Sequence, residues 1–353
     1  MSDAAAAIPL PLPEPEPPAP LRTRETEPLA ALEPLQAPEP DRNEMKIHWD
    51  RATGADWQAL LSLIRHSTIE QALPYGEAMR RHLFVPRHGI IQIGDETVGL
   101  VQMHEIDTLG IHCAIIERGP LWLDPDPPAE WRRLFLDLFA DRTYPRLGRF
   151  RRFLPELTPG DAANHMLEAA GFEPLRRNAI QRRSIWLDLS RGEEMRFRGL
   201  RADWRQTLIG AGKIKIKIEA ESSNASLGWV VARAAESQCI GIAGWSLGFT
   251  RALANAHFME GTGTLFKATG AGGPIAAALF ARHGDCATYL LGWGKKEVAG
   301  ALHLLMWRAM QELETQGVKA LDLGAFTAKS PEEMIAFKRG MGGEPYELLP
   351  MFR

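Results

Sequence analysis

Residues 317–345 read GVKALDLGAFTAKSPEEMIAFKRGMGGEP. Gly317 stops a preceding helix, and the apolar run to Gly324 has the length and composition of a short buried strand. Within that strand Asp322 stands between Leu321 and Leu323, where a carboxylate would be expensive to bury without a partner. Ser330-Pro331-Glu332-Glu333 carries the pattern of a capping box with proline in the first turn, which predicts a short helix ended by Gly340 and Gly342. Glu344-Pro345 then opens a last strand. The stretch therefore reads strand, short helix, strand, with a Phe337-Lys338 pair on the helix.

Working back from it, residues 299–314 place Leu302, Leu305, Met306, Ala309, Met310 and Leu313 on one helical stripe. Three strands precede that helix, at 262–268, 273–282 and 286–293. Before them come two helices at about 227–238 and 249–259, a strand at 213–220 alternating Lys and Ile, and a helix at 201–211. The first half of the chain gives the same order. A strand at 47–51 leads to a helix bearing Trp57, Leu60, Leu61 and Ile64, and a second helix follows Pro74. Strands at 89–94, 98–105 and 111–118, a helix at about 131–141, a strand at 150–157, a helix at 161–170 and a strand at 179–189 complete that half. An internal echo supports duplication: Gly171-Phe172-Glu173-Pro174 closes one series where Gly342-Gly343-Glu344-Pro345 closes the other. The expected fold class is α/β, as two tandem acetyltransferase-like (GNAT-type) modules with mixed sheets, over residues 45–190 and 195–353. A length of 353 residues agrees with two units.

Composition narrows the function. Residues 1–44 carry about ten prolines alternating with glutamate and are expected to form a disordered tail. The tail holds nine acidic and three basic residues, so a net charge of −3 for the whole leaves +3 on residues 45–353. That mild positive charge suits an anionic substrate. No apolar run approaches the roughly 20 residues a membrane helix needs, and no secretory signal pattern opens the chain, so a cytoplasmic location without a transmembrane segment is expected. Cys113, Cys239 and Cys286 lack metal-ligand or redox spacing and read as unpaired buried thiols. No metal site is expected.

Several stretches carry a family resemblance. In the first half these are Gln71-Ala72-Leu73-Pro74-Tyr75-Gly76-Glu77-Ala78 and Arg118-Gly119-Pro120-Leu121-Trp122. In the second they are Ala287-Thr288-Tyr289-Leu290-Leu291-Gly292-Trp293, Leu304-Leu305-Met306-Trp307-Arg308-Ala309-Met310, Leu321-Asp322-Leu323-Gly324 and Phe337-Lys338-Arg339-Gly340. In order and spacing, over residues 46–353, the chain resembles the FemABX-type aminoacyltransferases, which extend peptidoglycan precursors, and their proteobacterial relatives. The resemblance implies transfer of an aminoacyl group from aminoacyl-tRNA to an amine of a peptidoglycan-type precursor. It also implies that Lys338 stabilises the oxyanion of the tetrahedral intermediate, with Phe337 beside the reacting acyl group. The long helical hairpin that some Fem proteins insert in the second module is missing.

Candidate substrate-binding residues are Tyr75, Arg118, Arg205, Tyr289, Trp293, Lys295, His303, Trp307 and Asp322. Arg205 belongs to a basic set with Arg201, Lys213, Lys215 and Lys217, and Arg146, Arg149, Arg151, Arg152, Arg176, Arg177, Arg182 and Arg183 form another. Either surface would attract the phosphates of tRNA or of a nucleotide-linked acceptor, although solvated faces have the same composition. Gly294-Lys295-Lys296 stands where coenzyme A-dependent acetyltransferases place a pyrophosphate loop, but without their basic-x-x-Gly-x-Gly/Ala pattern. No tightly bound cofactor is expected. Two alternatives stay open at this point: a coenzyme A thioester donor with a small metabolite or polysaccharide acceptor, and a non-catalytic binding module. Peripheral association with a membrane surface is also left open.

Overall fold

In a computed structural model of the chain, the structure describes residues 45–144, 147–175, 182–236, 242 and 245–353. The expected tail at 1–44, together with Cys239, Arg146, Arg176 and Arg177, lies outside the described residues.

The first sheet has the order β1 (Met45–Trp49), β2 (Val85–Ile93), β3 (Glu96–Thr108), β4 (Ile111–Gly119), β6 (Arg149–Pro155), with the short β5 (Leu121–Trp122) also on β3. Its strands pair antiparallel until β4 and β6, which run parallel. Parallel neighbours need a crossover, and α3 (Ala129–Arg142) supplies it. The second sheet repeats this plan. β8 (Lys217–Glu221), β9 (Gly263–Gly270), β10 (Gly273–His283) and β11 (Cys286–Gly294) are antiparallel, and β11 runs parallel to β12 (Ala320–Asp322). Here the crossover is α9 (Ala301–Thr315). The repeated order is therefore real in the hydrogen-bond pattern as well as in the sequence.

One strand departs from the expectation. The segment read as closing the first half forms β7 (Arg183–Asp188), which pairs with β12 and with β13 (Glu344–Glu347) in the second sheet. In return the C-terminus crosses to the first: Phe352 exchanges backbone hydrogen bonds with Phe153, and Arg353 with Glu173. Periodicity alone does not reveal this exchange, because an apolar strand fits either sheet. Gly343 shows how tightly the exchange is packed, since a β-carbon there would lie 2.4 Å from the Trp186 carbonyl oxygen.

Helices cover both sheets. α6 (Ala202–Ala211), α9 and α10 (Glu332–Gly340) pack on one face of the second sheet, with Trp204, Leu305, Met310 and Leu321 in a shared core. The opposite face takes α7 (Asn224–Glu236), α8 (Leu247–Met259) and, from the first half of the chain, α2 (Leu73–Arg80) through Tyr75 and Met79, with Ile69 from the turn before it. In the first sheet Phe135, Phe139, Phe153 and Phe172 form the core with α3 and α4 (Asp161–Ala169), and Phe352 joins them. α1 (Gly54–Leu63) seals the other face with Trp57 and Leu61. Burying a side chain such as Phe352 stabilises by about 1.5–3 kcal/mol.

Two local readings are corrected. α5 (Glu193–Gly199) begins within the linker that the sequence suggests near residues 190–194 and runs past it, opened by Glu193 and Glu194 and closed by Arg196 and Arg198 in keeping with the helix dipole. The Ser330 capping box is absent: Pro331 is the N-cap of α10, and the Ser330 hydroxyl accepts instead from the Thr327 N–H at 3.1 Å. Proline fixes the backbone for helix entry, so no side-chain cap is required. A capping box does start α1, between Thr53 and Asp56.

Three histidines are buried in these cores. Burial pulls the imidazoles of His104, His257 and His283 down to about 3. The unfolded chain binds protons at these rings near pH 6.5 and the folded chain does not, so stability falls as pH drops through the interval between the two values. Glu70, whose carboxyl is raised to about 7, works the other way over part of the interval but is one group against three. The expected result is a loss on the order of a few kcal/mol between pH 7 and pH 5. Urea unfolding at both pH values measures it, and equal midpoints would contradict it.

Candidate active site

The ladder between β11 and β12 ends at the pair Thr288–Asp322. Beyond it β11 continues on β10 through Tyr289, while the other chain turns at Gly324, whose φ of 74° lies in the left-handed region. A β-carbon at Gly324 would lie 2.7 Å from the Tyr289 carbonyl oxygen, so only glycine fits. α10 carries Lys338 into this parting. The side chain is 1% exposed, and its Nζ donates to the Gly324 carbonyl at 2.8 Å. The ring centroids of Tyr289 and Phe326 stand 5.8 and 5.9 Å from Nζ. Burial brings the Lys338 ammonium down to about 7, against the opposing pull of Asp322.

Asp322 anchors the turn. Its Oδ1 accepts from the Ser184 hydroxyl and from the Gly324 N–H at 2.9 Å, and its Oδ2 from Tyr346 at 2.8 Å and Arg118 at 3.1 Å. Burial pushes the carboxyl upward, but Arg118 and these hydrogen bonds outweigh it and hold Asp322 below the usual range. Arg118, at the end of β4, grips Glu156 with two bonds of 2.9 Å. Its own backbone is left-handed at φ 51°, with the carbonyl receiving the Thr68 hydroxyl at 2.9 Å. Glu70 lies 3.9 Å from the same guanidinium, and its Oε2 has no hydrogen-bond partner among the described residues. Burial is what raises its carboxyl to about 7. Tyr75 donates to Glu117 at 2.6 Å on the flank of this group.

The structure thus gathers Lys338, Asp322, Arg118, Tyr289 and, at one remove, Tyr75. The other candidates lie elsewhere. Phe337 is half-buried against Trp204 and His303, and His303 sits between those two rings at 4.7 and 5.0 Å. Trp307 meets Phe197 edge-on. Arg205 donates to the carbonyls of Arg198 and Leu200, and its guanidinium lies over Phe197. Trp293 packs edge-on against Trp229, and Lys295 is exposed on the turn before α9. Among the described arginines of the basic set in the first half of the chain, Arg151 stacks on Phe172 and donates to the Gly171 carbonyl, while Arg183 pairs with Glu347. Ser184, Glu156, Glu70 and Tyr346 were not singled out from the sequence. Glu156 within Phe153-Leu154-Pro155-Glu156-Leu157 carries the signal that exposed Asp322, an acidic residue at the end of an apolar strand.

The two mixed sheets with their helical crossovers have a GNAT-like α/β fold. An acetyltransferase (GNAT) domain model matches residues 196–346. Among solved structures, FemX superposes with a TM-score of 0.69 at 14% identity, covering 86% of this chain and 96% of FemX. A conserved protein of unknown function from Bacteroides thetaiotaomicron VPI-5482 superposes with a TM-score of 0.52 at 13% identity, covering 86% of this chain and all of that one (100%). These likenesses are of fold. No curated protein sequence matches the chain. Among the described residues no helix is long and apolar enough to cross a membrane.

Proposed function

We propose that the protein is an acyltransferase that forms an amide bond, taking an aminoacyl group from aminoacyl-tRNA and placing it on an amine of a peptidoglycan-type precursor. The observation that carries this reading is Lys338, buried at the parting of β11 and β12 in a fold shared with FemX. A buried ammonium that rests on the neutral Gly324 carbonyl gains from a negative charge that appears only during reaction. Attack of the acceptor nitrogen on the ester carbonyl makes the N–C bond and places a negative charge on the carbonyl oxygen. Collapse breaks the ester C–O bond, the nitrogen loses a proton, and the departing ribose oxygen takes one up. In this reading the acyl oxygen replaces the Gly324 carbonyl as the partner of Lys338.

The test is direct: purified protein with aminoacyl-tRNA and a UDP-linked muramoyl peptide, read by mass spectrometry. The expected product is the peptide extended by one aminoacyl residue. Extension only from a coenzyme A thioester would replace the donor, and binding without turnover from any donor would leave a non-catalytic module.

A pH profile follows from the same reading. Protonated Lys338 is the active form, so kcat/KM is expected to decline above about pH 7, where the free enzyme loses that proton. Lys338→Arg keeps a charge that does not titrate, and any residual activity of that variant should lack the alkaline limb. An unchanged limb in the Arg variant would assign it to another group.

A further inference from the structure

Arg118 comes from the first sheet, yet its guanidinium is 3.1 Å from a carboxylate of the second, with side-chain exposures of 5% and 2%. That carboxylate, Asp322, clamps the N–H of Gly324, and the carbonyl of the same residue receives Lys338. Ser184 on β7 and Tyr346 on β13 hold the carboxylate from the second sheet, and Arg118 holds it from the first. Arg118 is in turn fixed by Glu156 just beyond β6 and by Thr68 on its backbone. Every link is a hydrogen bond between buried or half-buried groups.

We propose that Arg118 is a positioning residue for the second sheet's site: by orienting Asp322 it fixes the Gly324 turn, and so sets where the Lys338 amine stands. The proposal rests on the functional reading of Lys338 given above. It reassigns Arg118 and Asp322 from touching substrate to holding the residue that does. Glu156 and Asp322 both bond the Arg118 guanidinium, and Glu70, facing it at 3.9 Å, has its carboxyl raised to about 7 by burial. The groups around Lys338 include the Gly324 carbonyl, the Asp322 carboxylate and the Tyr289 and Phe326 rings, with the Arg339 guanidinium 6.0 Å from the Phe326 ring.

Two experiments test the link. Lys338 is titrated in substrate-free protein by NMR of 13C-labelled lysine, its resonance assigned by its loss in Lys338→Met. Asp322→Asn removes the attracting charge and is expected to lower the Lys338 midpoint by about one unit or more. An unmoved midpoint overturns the proposal whether or not transfer has been detected. The second experiment uses Arg118→Lys, which keeps the charge but cannot span Glu156 and Asp322 with one planar fork. Its expected signature is a fall in kcat of about tenfold or more, with donor and acceptor KM within about twofold of the parent. A KM increase at unchanged kcat would make Arg118 a substrate ligand, and unchanged values of both would make it purely structural; either overturns the proposal. Should Arg118→Lys not fold, Glu156→Gln loosens the same anchor from its more exposed side and must give the same kcat loss. If the parent transfers no acyl group from any donor while the Asp322→Asn shift is present, the functional reading fails and the structural link stands.

Discussion

Replacing Lys338 by methionine is expected to lower acyl-transfer turnover by about a hundredfold to a thousandfold, the usual effect of losing an oxyanion donor. Stability is expected to stay level or rise by about 1–2 kcal/mol, because folding no longer has to desolvate an ammonium. Methionine matches the length and flexibility of the lysine stem, so it refills the space among Tyr289, Phe326 and Gly324 with little repacking. What it leaves behind is the Gly324 carbonyl without the Lys338 donor, a loss of about 1 kcal/mol that partly offsets the gain. The sign can be checked against pH. Lys338 titrates near 7 in the folded protein against 10.5 as an ordinary lysine, so between those values the unfolded state binds more protons and the parent grows more stable as pH rises. The advantage of Lys338→Met should therefore be largest at or below pH 7 and shrink toward pH 10. Urea unfolding at pH 7 and 9, beside single-turnover kinetics, measures both parts. A variant that loses stability in proportion to activity would mark Lys338 as a structural residue. Lys338→Arg separates charge from placement, since the larger planar head needs room that a buried site does not provide.

Much of this site was legible in the sequence because its signals are local. Phe337-Lys338 on a short helix after Leu321-Asp322-Leu323-Gly324 marks the end of a buried strand, a turn that needs glycine, and a lysine one helix away. An aspartate between leucines announces a partner without naming it. The partner, Arg118, stands 204 positions earlier, a separation over which no periodicity speaks. The repeat of element order was likewise visible, and the positive φ of Gly171 and Gly342 explains why the echoed sequences look alike. Strand exchange was not visible. β7 is apolar on both faces, as an interior strand of either sheet would be, so its pairing is settled by tertiary contacts with Ala320 and Tyr346. Phe337, His303 and Trp307 illustrate the opposite limit. Aromatic residues at helical spacing read equally well as cleft or core: Phe337 and His303 pack against Trp204, whereas Trp307, packed on Phe197, also lines a cavity with Trp186, Arg196 and Met341.

Arg118→Met is expected to destabilise the protein by about 3–5 kcal/mol, the usual effect of removing one partner from a buried ion pair. The reason lies less in the lost attraction than in what remains. Asp322 is buried at 2% side-chain exposure, with Ser184, Tyr346 and Gly324 as hydrogen-bond donors but without its cation, and Glu156 loses both of its bonds. Glu70 also loses the Arg118 charge that lowers its pKa. Adding Glu156→Gln and Asp322→Asn to Arg118→Met removes the stranded charges, and the triple variant is expected to recover most of the loss even though it has fewer ionic contacts than the single one. Denaturant midpoints for the parent, the single variant and the triple variant decide the matter. If the triple variant is less stable than Arg118→Met alone, the stability of this region resides in the ionic contacts themselves. If it recovers stability while turnover stays low, the buried network is kept for where it holds Lys338, at the expense of what a hydrophobic or neutral filling would contribute to the fold.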